Sequence, residues 1–217
     1  MDFKEAFQFL EELNLNNNKE WLDVHRDWYQ DIRKSLILWC EKMDQELAGI
    51  DSNYFSLPGQ KALNRINNNL LYHPEKPPYK DHFGIGFDKK PMHCDFYLHL
   101  GINELFLASG FYKPSSQILK SVREAIDYNG EEFKDILNAA DFKKHFGELD
   151  YSHILKTTPR KYEQSHPHID LLRLKSFFVE TPIPKELLFS SALEDFLVEK
   201  YKVLLPFRNY LNQAITV

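Results

Sequence analysis

Cysteine is almost missing from this chain of 217 residues. Only Cys40 and Cys94 occur, one in a helical pattern and one in a strand pattern, without a short-spaced partner. Neither a disulfide framework nor a thiolate zinc site is encoded, and a reducing compartment is expected. Glycine is scarce too, and Gly84-Ile85-Gly86 is too short to be a dinucleotide fingerprint. Positive charge is not in surplus: the formal net charge of -5 leaves no whole-surface field for duplex nucleic acid. No apolar run approaches the roughly 20 residues that cross a bilayer. The N-terminus, MDFKEAFQFLEELN, is acidic and periodic instead of basic and then uniformly apolar. These features predict a cytoplasmic protein with no membrane partner. No Gly-x-Ser-x-Gly elbow exists and neither cysteine sits beside a histidine in a recognisable motif, so no nucleophile motif is read.

What is there is apolar and aromatic: 43% hydrophobic and 14% aromatic residues are enough for a core that folds on its own. Phe3, Ala6, Phe7, Leu10 and Leu13 recur at helical spacing and stop in the stretch Asn14 to Asn18. Asn17 with Glu20 predicts a capping box for a long second helix. Its inner face would carry Trp21, Val24, Trp28, Ile32, Leu36, Trp39, Met43 and Leu47 as far as Gly49. At that spacing the three tryptophans, with His25 and Tyr29, read as core. Asp51 to Gly59 reads as loop, and Leu63 to Leu71 as extended chain interrupted by three asparagines. Met92 to Leu100 alternates apolar and polar residues as a half-buried antiparallel strand does, and Glu104 to Phe111 supplies its partner.

Beyond Pro114 one helix ends at Asn129-Gly130 and another runs from Phe133 to Ala140. Ile169 to Val179 is a buried helix, a strand, or one following the other. Glu186 to Phe189 and Ala192 to Tyr210 read as C-terminal helices, with Pro206 expected to kink or split the last. The fold class is therefore α+β, a mainly antiparallel central sheet packed with N- and C-terminal helices, in a single domain over 1–217.

One segment concentrates restricted residues. In "LYHPEKPPYKDHFGIGF", residues 71–87, Pro74, Pro77 and Pro78 fix φ and push their predecessors toward extended backbone. Lys76, Tyr79 and Lys80 are thereby presented with little freedom, as donors suited to phosphate or carboxylate. Other constellations compete. His166-Pro-His168-x-Asp170 has metal-ligand residue types without helical i, i+4 spacing. His93, Asp95, Tyr97 and His99 share a strand face where a histidine and a carboxylate form a general-base pair. Lys156, Arg160, Lys161, Arg173 and Lys175 form a basic concentration opposed only by Glu163 and Asp170. Arg173, inside an apolar segment, is either paired with a carboxylate or aimed at a ligand.

The segments "NNKEWL" (17–22), "RI" (65–66), "KPPYK" (76–80), "SGFYKP" (109–114) and "HPHIDLLRLKSF" (166–177) resemble the bacterial and fungal family catalogued as domain of unknown function 2461. The resemblance covers nearly the whole chain, from Phe3 to about Leu211, and implies a shared fold without supplying an activity. Relatives typically carry Arg-Asp and a further Arg where Asn68, Asn69 and Leu71 stand here. They carry Asp-Lys at Glu75-Lys76 and Gly-Tyr at Lys161-Tyr162. The resemblance thus implies that the polar cluster is kept only in part.

Three functions remain open. Arg65, Lys76, Tyr79, Lys80, Lys113, His166 and Arg173 are expected to line one cleft over the sheet and bind a small anionic ligand, with no cofactor and no metal. The same cleft in a hydrolase or transferase would use His93, His99 or His166 as base. As an interaction module, the KPPY loop and exposed aromatics would meet another protein.

Overall fold

The computed structural model describes residues 1–152 and 154–215. Four strands, β1 (His82–Phe87), β2 (Asp95–Gly101), β3 (Leu105–Phe111) and β4 (Phe177–Pro182), form an antiparallel sheet in the order β1-β2-β3-β4. Helices α1 (Phe3–Leu15), α2 (Lys19–Val24), α3 (Arg26–Ala48) and α4 (Gly59–Ala62) precede it. Between β3 and β4 lie α5 (Ser116–Asn138), α6 (Ala140–Phe146) and α7 (Ile169–Leu172), and the chain closes with α8 (Lys185–Leu188) and α9 (Ala192–Gln213). This is the α+β architecture that the patterning indicates.

Chain packing divides into two compact units. The first comprises Met1–Lys89, Tyr97–Leu107 and Pro182–Val198. Its centre is aromatic: Trp39 meets Phe3 edge-on at 5.3 Å and Phe87 at 6.1 Å, while Phe9 stacks on Tyr29 at 5.7 Å. Trp39 is buried, as its periodicity indicates, but Trp21 and Trp28 are half-buried and Val24 is 81% exposed. The long helix is in fact two, because His25 leaves helical geometry (φ -100°, ψ 21°) and its Nδ1 lies 2.8 Å from the Trp21 carbonyl oxygen. The capping expectation is also corrected. Asn18, not Asn17, accepts the Trp21 N–H at 2.8 Å, which releases Asn17 for a distant partner.

The second unit comprises Lys90–Phe96, Ala108–Thr181 and the chain from Glu199 onward. Phe133 stacks on Tyr210 at 4.6 Å and Phe207 at 5.8 Å, and Phe96 meets Tyr201 edge-on at 5.1 Å. Strand β2 begins at Asp95 and not at Met92, for a physical reason. Met92 has φ 62°, His93 N–H bonds to Lys90 O in a turn, and the Cys94 peptide is claimed by Asn212 and Arg208 at 2.8 Å each. The Asn129-Gly130 break appears as a kink in α5 with Asn129 at φ -142°, ψ 51°. Tyr210 donates to the Asn129 carbonyl there at 3.1 Å, and a Cβ on Gly130 would lie 2.5 Å from the His168 ring. Ile169 to Val179 resolves into α7 followed by β4. Helix α9 runs through Pro206 unsplit; Pro206 and Lys202, whose carbonyl loses its helical donor, are both exposed residues.

Two glycines separate crowding from backbone preference. Gly110 sits at φ 117° and a Cβ there would lie 2.2 Å from Phe177 O, whereas Gly147 sits at φ 68° in open space. Urea unfolding is expected to show Gly110→Ala losing about 3 kcal/mol or failing to fold. Gly147→Ala is expected to lose about 1 kcal/mol.

Candidate functional site

The proline-rich segment forms the return arm of a hairpin in the first unit. Lys80 N–H bonds to Ile66 O at 2.8 Å, Asn68 N–H to Pro78 O at 2.9 Å, and Asn67 bridges Tyr79 in antiparallel register. Pro77 and Pro78 have no N–H to offer, so this arm presents acceptors; the Asn68 side chain takes the Pro77 carbonyl at 2.9 Å. The Asn17 carboxamide then closes the stem. Its Nδ2 donates to Tyr79 O and its Oδ1 accepts the Tyr79 N–H, both at 3.0 Å. The Tyr79 ring is buried, its hydroxyl pKa raised by burial and then by Asp23.

This stem gathers cations. The Lys80 ammonium donates to Arg65 O at 2.8 Å. Burial lowers its pKa first, and the positive charges of Arg65 and Lys76 lower it further. Both of those side chains are exposed.

The remaining expected residues belong to the second unit. Lys113 is exposed, holds φ 45°, gives its backbone N–H to Ser176 Oγ at 2.9 Å and places Nζ 4.9 Å from the Tyr112 ring centre. His166 faces Asp127 at 3.0 Å, and its Nδ1 accepts the His168 N–H at 3.1 Å. Arg173 takes neither a carboxylate nor an outward course: it donates to Leu155 O at 2.9 Å and Lys156 O at 3.4 Å. Arg123 does likewise with Leu172 O and Leu174 O. Lys161 pairs with Glu124 at 3.0 Å. Among the described residues no three His, Cys, Asp or Glu side chains converge as a metal site would require.

A cluster that the sequence does not advertise lies back in the first unit. His82 Nδ1 donates to Asp81 Oδ1 at 3.0 Å, and Asn103 donates to the other carboxylate oxygen at 3.1 Å. The His82 ring stacks on His99 at 3.9 Å, and His99 stacks on Phe106 at 4.6 Å, while the Tyr97 hydroxyl lies 3.3 Å from His99 Nδ1. Glycine makes room. A Cβ on Gly84 would meet the Tyr97 oxygen at 2.7 Å, and one on Gly101 would meet His99 Nε2 at 2.9 Å.

Residues 5–210 match the model of the family described as conserved hypothetical protein (DUF2461). The chain belongs to that family. No curated protein and no solved structure matches it.

In this DUF2461 chain Asp81–His82 forms a His–carboxylate pair beside His99 on the sheet, in place of the expected His93–Asp95 pair. His93 lies in a turn with Nδ1 3.0 Å from Pro91 O, and both residues belong to the second unit. Burial works against ionisation of Asp81, but the hydrogen bonds from His82 and Asn103 outweigh it and hold the carboxyl below its ordinary pKa. A carboxylate so held orients the imidazole through its Nδ1. The Cys40 thiol is a poor nucleophile, because burial pushes its pKa up to about 12. The sequence signal that could have found the cluster is the Asp-His pair directly after KPPYK, opposite His99 once β1 is paired with β2.

His99 carries a pH signature. Burial, then the neighbouring His82, lowers its pKa to about 4 from 6.5, with Asp81 opposing. The unfolded chain therefore takes up the proton first on acidification. Stability is fully present above pH 6.5 and falls toward pH 4, by about 2 kcal/mol after allowance for solvent screening. Denaturation of His99→Gln at a series of pH values is expected to show a flatter profile than wild type in that window.

Proposed function

We propose that this protein binds a small anion bearing phosphate or carboxylate, with the hairpin cations Arg65, Lys76 and Lys80 as its ligands and Tyr79 fixing their backbone. One observation carries the reading: the Lys80 ammonium is held against the Arg65 carbonyl at 2.8 Å, where, beyond the effect of burial, the charges acting on it are those of Arg65 and Lys76, both positive. Three like charges held together repel, and an anion relieves that repulsion while gaining charge-assisted hydrogen bonds. Stem hydrogen bonds and prolines pre-order the arms, so little conformational entropy is lost on binding. Of the residues expected from the second unit, His166 and Arg173 already have protein partners. The reading rests on the hairpin. The buried Cys40 and Cys94 are not joined in a disulfide, which fits the reducing, cytoplasmic setting expected of a metabolite binder.

Millimolar inorganic phosphate is expected to raise the melting temperature, with Arg65→Ala and Lys76→Ala each weakening the half-saturating concentration about tenfold. A wild-type melting temperature indifferent to phosphate and to carboxylates would sink the reading.

A second reading, a hydrolase or transferase, draws on the Asp81–His82 pair, with His82 Nε2 as general base. His82→Gln is then expected to abolish turnover in a panel of phosphate and carboxylate esters without moving the melting temperature. Equal turnover by wild type and variant would dismiss it.

A further inference from the structure

Between the arms of the hairpin, three consecutive apolar side chains face water: Leu70 is 41% exposed, Leu71 83% and Tyr72 73%. Isolated exposed apolar residues need no account, but a contiguous run does. Every other large apolar side chain exposed among the described residues is isolated along the chain. The run is held in a defined turn, since Tyr72 and His73 N–H both bond to Asn69 O, at 3.2 and 3.0 Å, and Lys76 N–H bonds to His73 O at 3.2 Å. Along the chain cations flank it, Arg65 before and Lys76 and Lys80 after. The carboxylate in the turn, Glu75, lies 3.6 Å from the His73 ring, and Asp23, which acts on Tyr79, is paired with Arg26.

We infer that this turn docks on a bilayer leaflet containing anionic phospholipid. Leu71 and Tyr72 enter the boundary between headgroups and acyl chains, while Arg65, Lys76 and Lys80 meet the headgroup phosphates. The inference rests on the anion reading and names the source of the phosphate. Apolar contact and basic charge are each too weak alone for membrane attachment and suffice together. Tyrosine suits the depth, its ring in the apolar boundary and its hydroxyl in water. A lipid surface fits better than a protein surface. Three side chains and three cations fall short of the ~800 Å² per partner that a stable protein interface covers, whereas a fluid leaflet needs no matching shape. No helix among the described residues is long and apolar enough to cross a membrane. None is needed, because the attachment is peripheral; the proposal departs from the sequence-based expectation of no membrane partner.

Cosedimentation of the full chain with vesicles tests it, using phosphatidylcholine alone and two parts phosphatidylcholine to one part phosphatidylserine. Binding is expected to the mixed vesicles only and to weaken as salt rises. Leu71→Ser with Tyr72→Ser, and separately Lys76→Glu, should each cut the bound fraction about fivefold. Both changes fall on exposed side chains, so the fold is retained, and the Leu71→Ser, Tyr72→Ser variant keeps its phosphate-dependent rise in melting temperature. No binding to mixed vesicles, with the phosphate response intact, overturns the lipid inference and leaves the anion reading standing. Loss of both responses overturns both. Equal binding to the two vesicle types, or undiminished binding by the serine variant, also overturns it. So does a purified protein partner held through Leu71 and Tyr72 when no vesicle is bound.

Discussion

Two hydrogen bonds between the Asn17 carboxamide and the Tyr79 peptide hold the hairpin to the N-terminal helices across 62 residues of sequence. Each contributes only about 1 kcal/mol net. Their structural effect is larger, because the Tyr79 peptide follows two prolines and is where a donor first becomes available on that arm. With it clamped, Lys80 N–H meets Ile66 O, and the Lys80 side chain reaches the Arg65 carbonyl. The grouping of Arg65, Lys76 and Lys80 follows from that register. Asn18 takes over the helix cap, so the asparagine-rich stretch serves two structures at once.

The chain handles its positive charges in contrasting ways. In the second unit several are absorbed locally: Arg123 and Arg173 by carbonyls around α7, Lys161 by Glu124, His166 by Asp127. An apolar segment containing an arginine therefore needs neither a carboxylate nor a ligand if nearby backbone leaves carbonyls unpaired. At the hairpin the neighbouring charges reinforce one another instead. The Asp81–His82 pair begins at the next residue, so Lys80 and an oriented imidazole follow each other along the chain where it enters β1.

How far the fold and the site were legible depends on whether local residues decide them. The helix of Phe3 to Leu13, the alternation along Phe96, Leu98 and Leu100, and the break at Asn129-Gly130 were all readable, because side-chain period and backbone preference act within a few residues. The KPPYK arm was readable for the same reason, since proline restricts its own φ and its neighbour's. His82 was not, because its meaning lies in the ring of His99 stacked on it across two strands. Nor was the division of roles between Asn17 and Asn18, as both have the same capping chemistry and only the position of Tyr79 distinguishes them.

Composition, periodicity and proline placement by themselves determined the α+β class, the aromatic core around Trp39 and the stiffness of the proline arm, because each depends on short-range preferences or on sums over the chain; the family followed from the likeness of particular segments. Tertiary structure decided which charges are neutralised, that Leu70, Leu71 and Tyr72 face water, and that Asp81, His82 and His99 meet. Those outcomes depend on distances between residues far apart in sequence, and no local preference encodes such a distance.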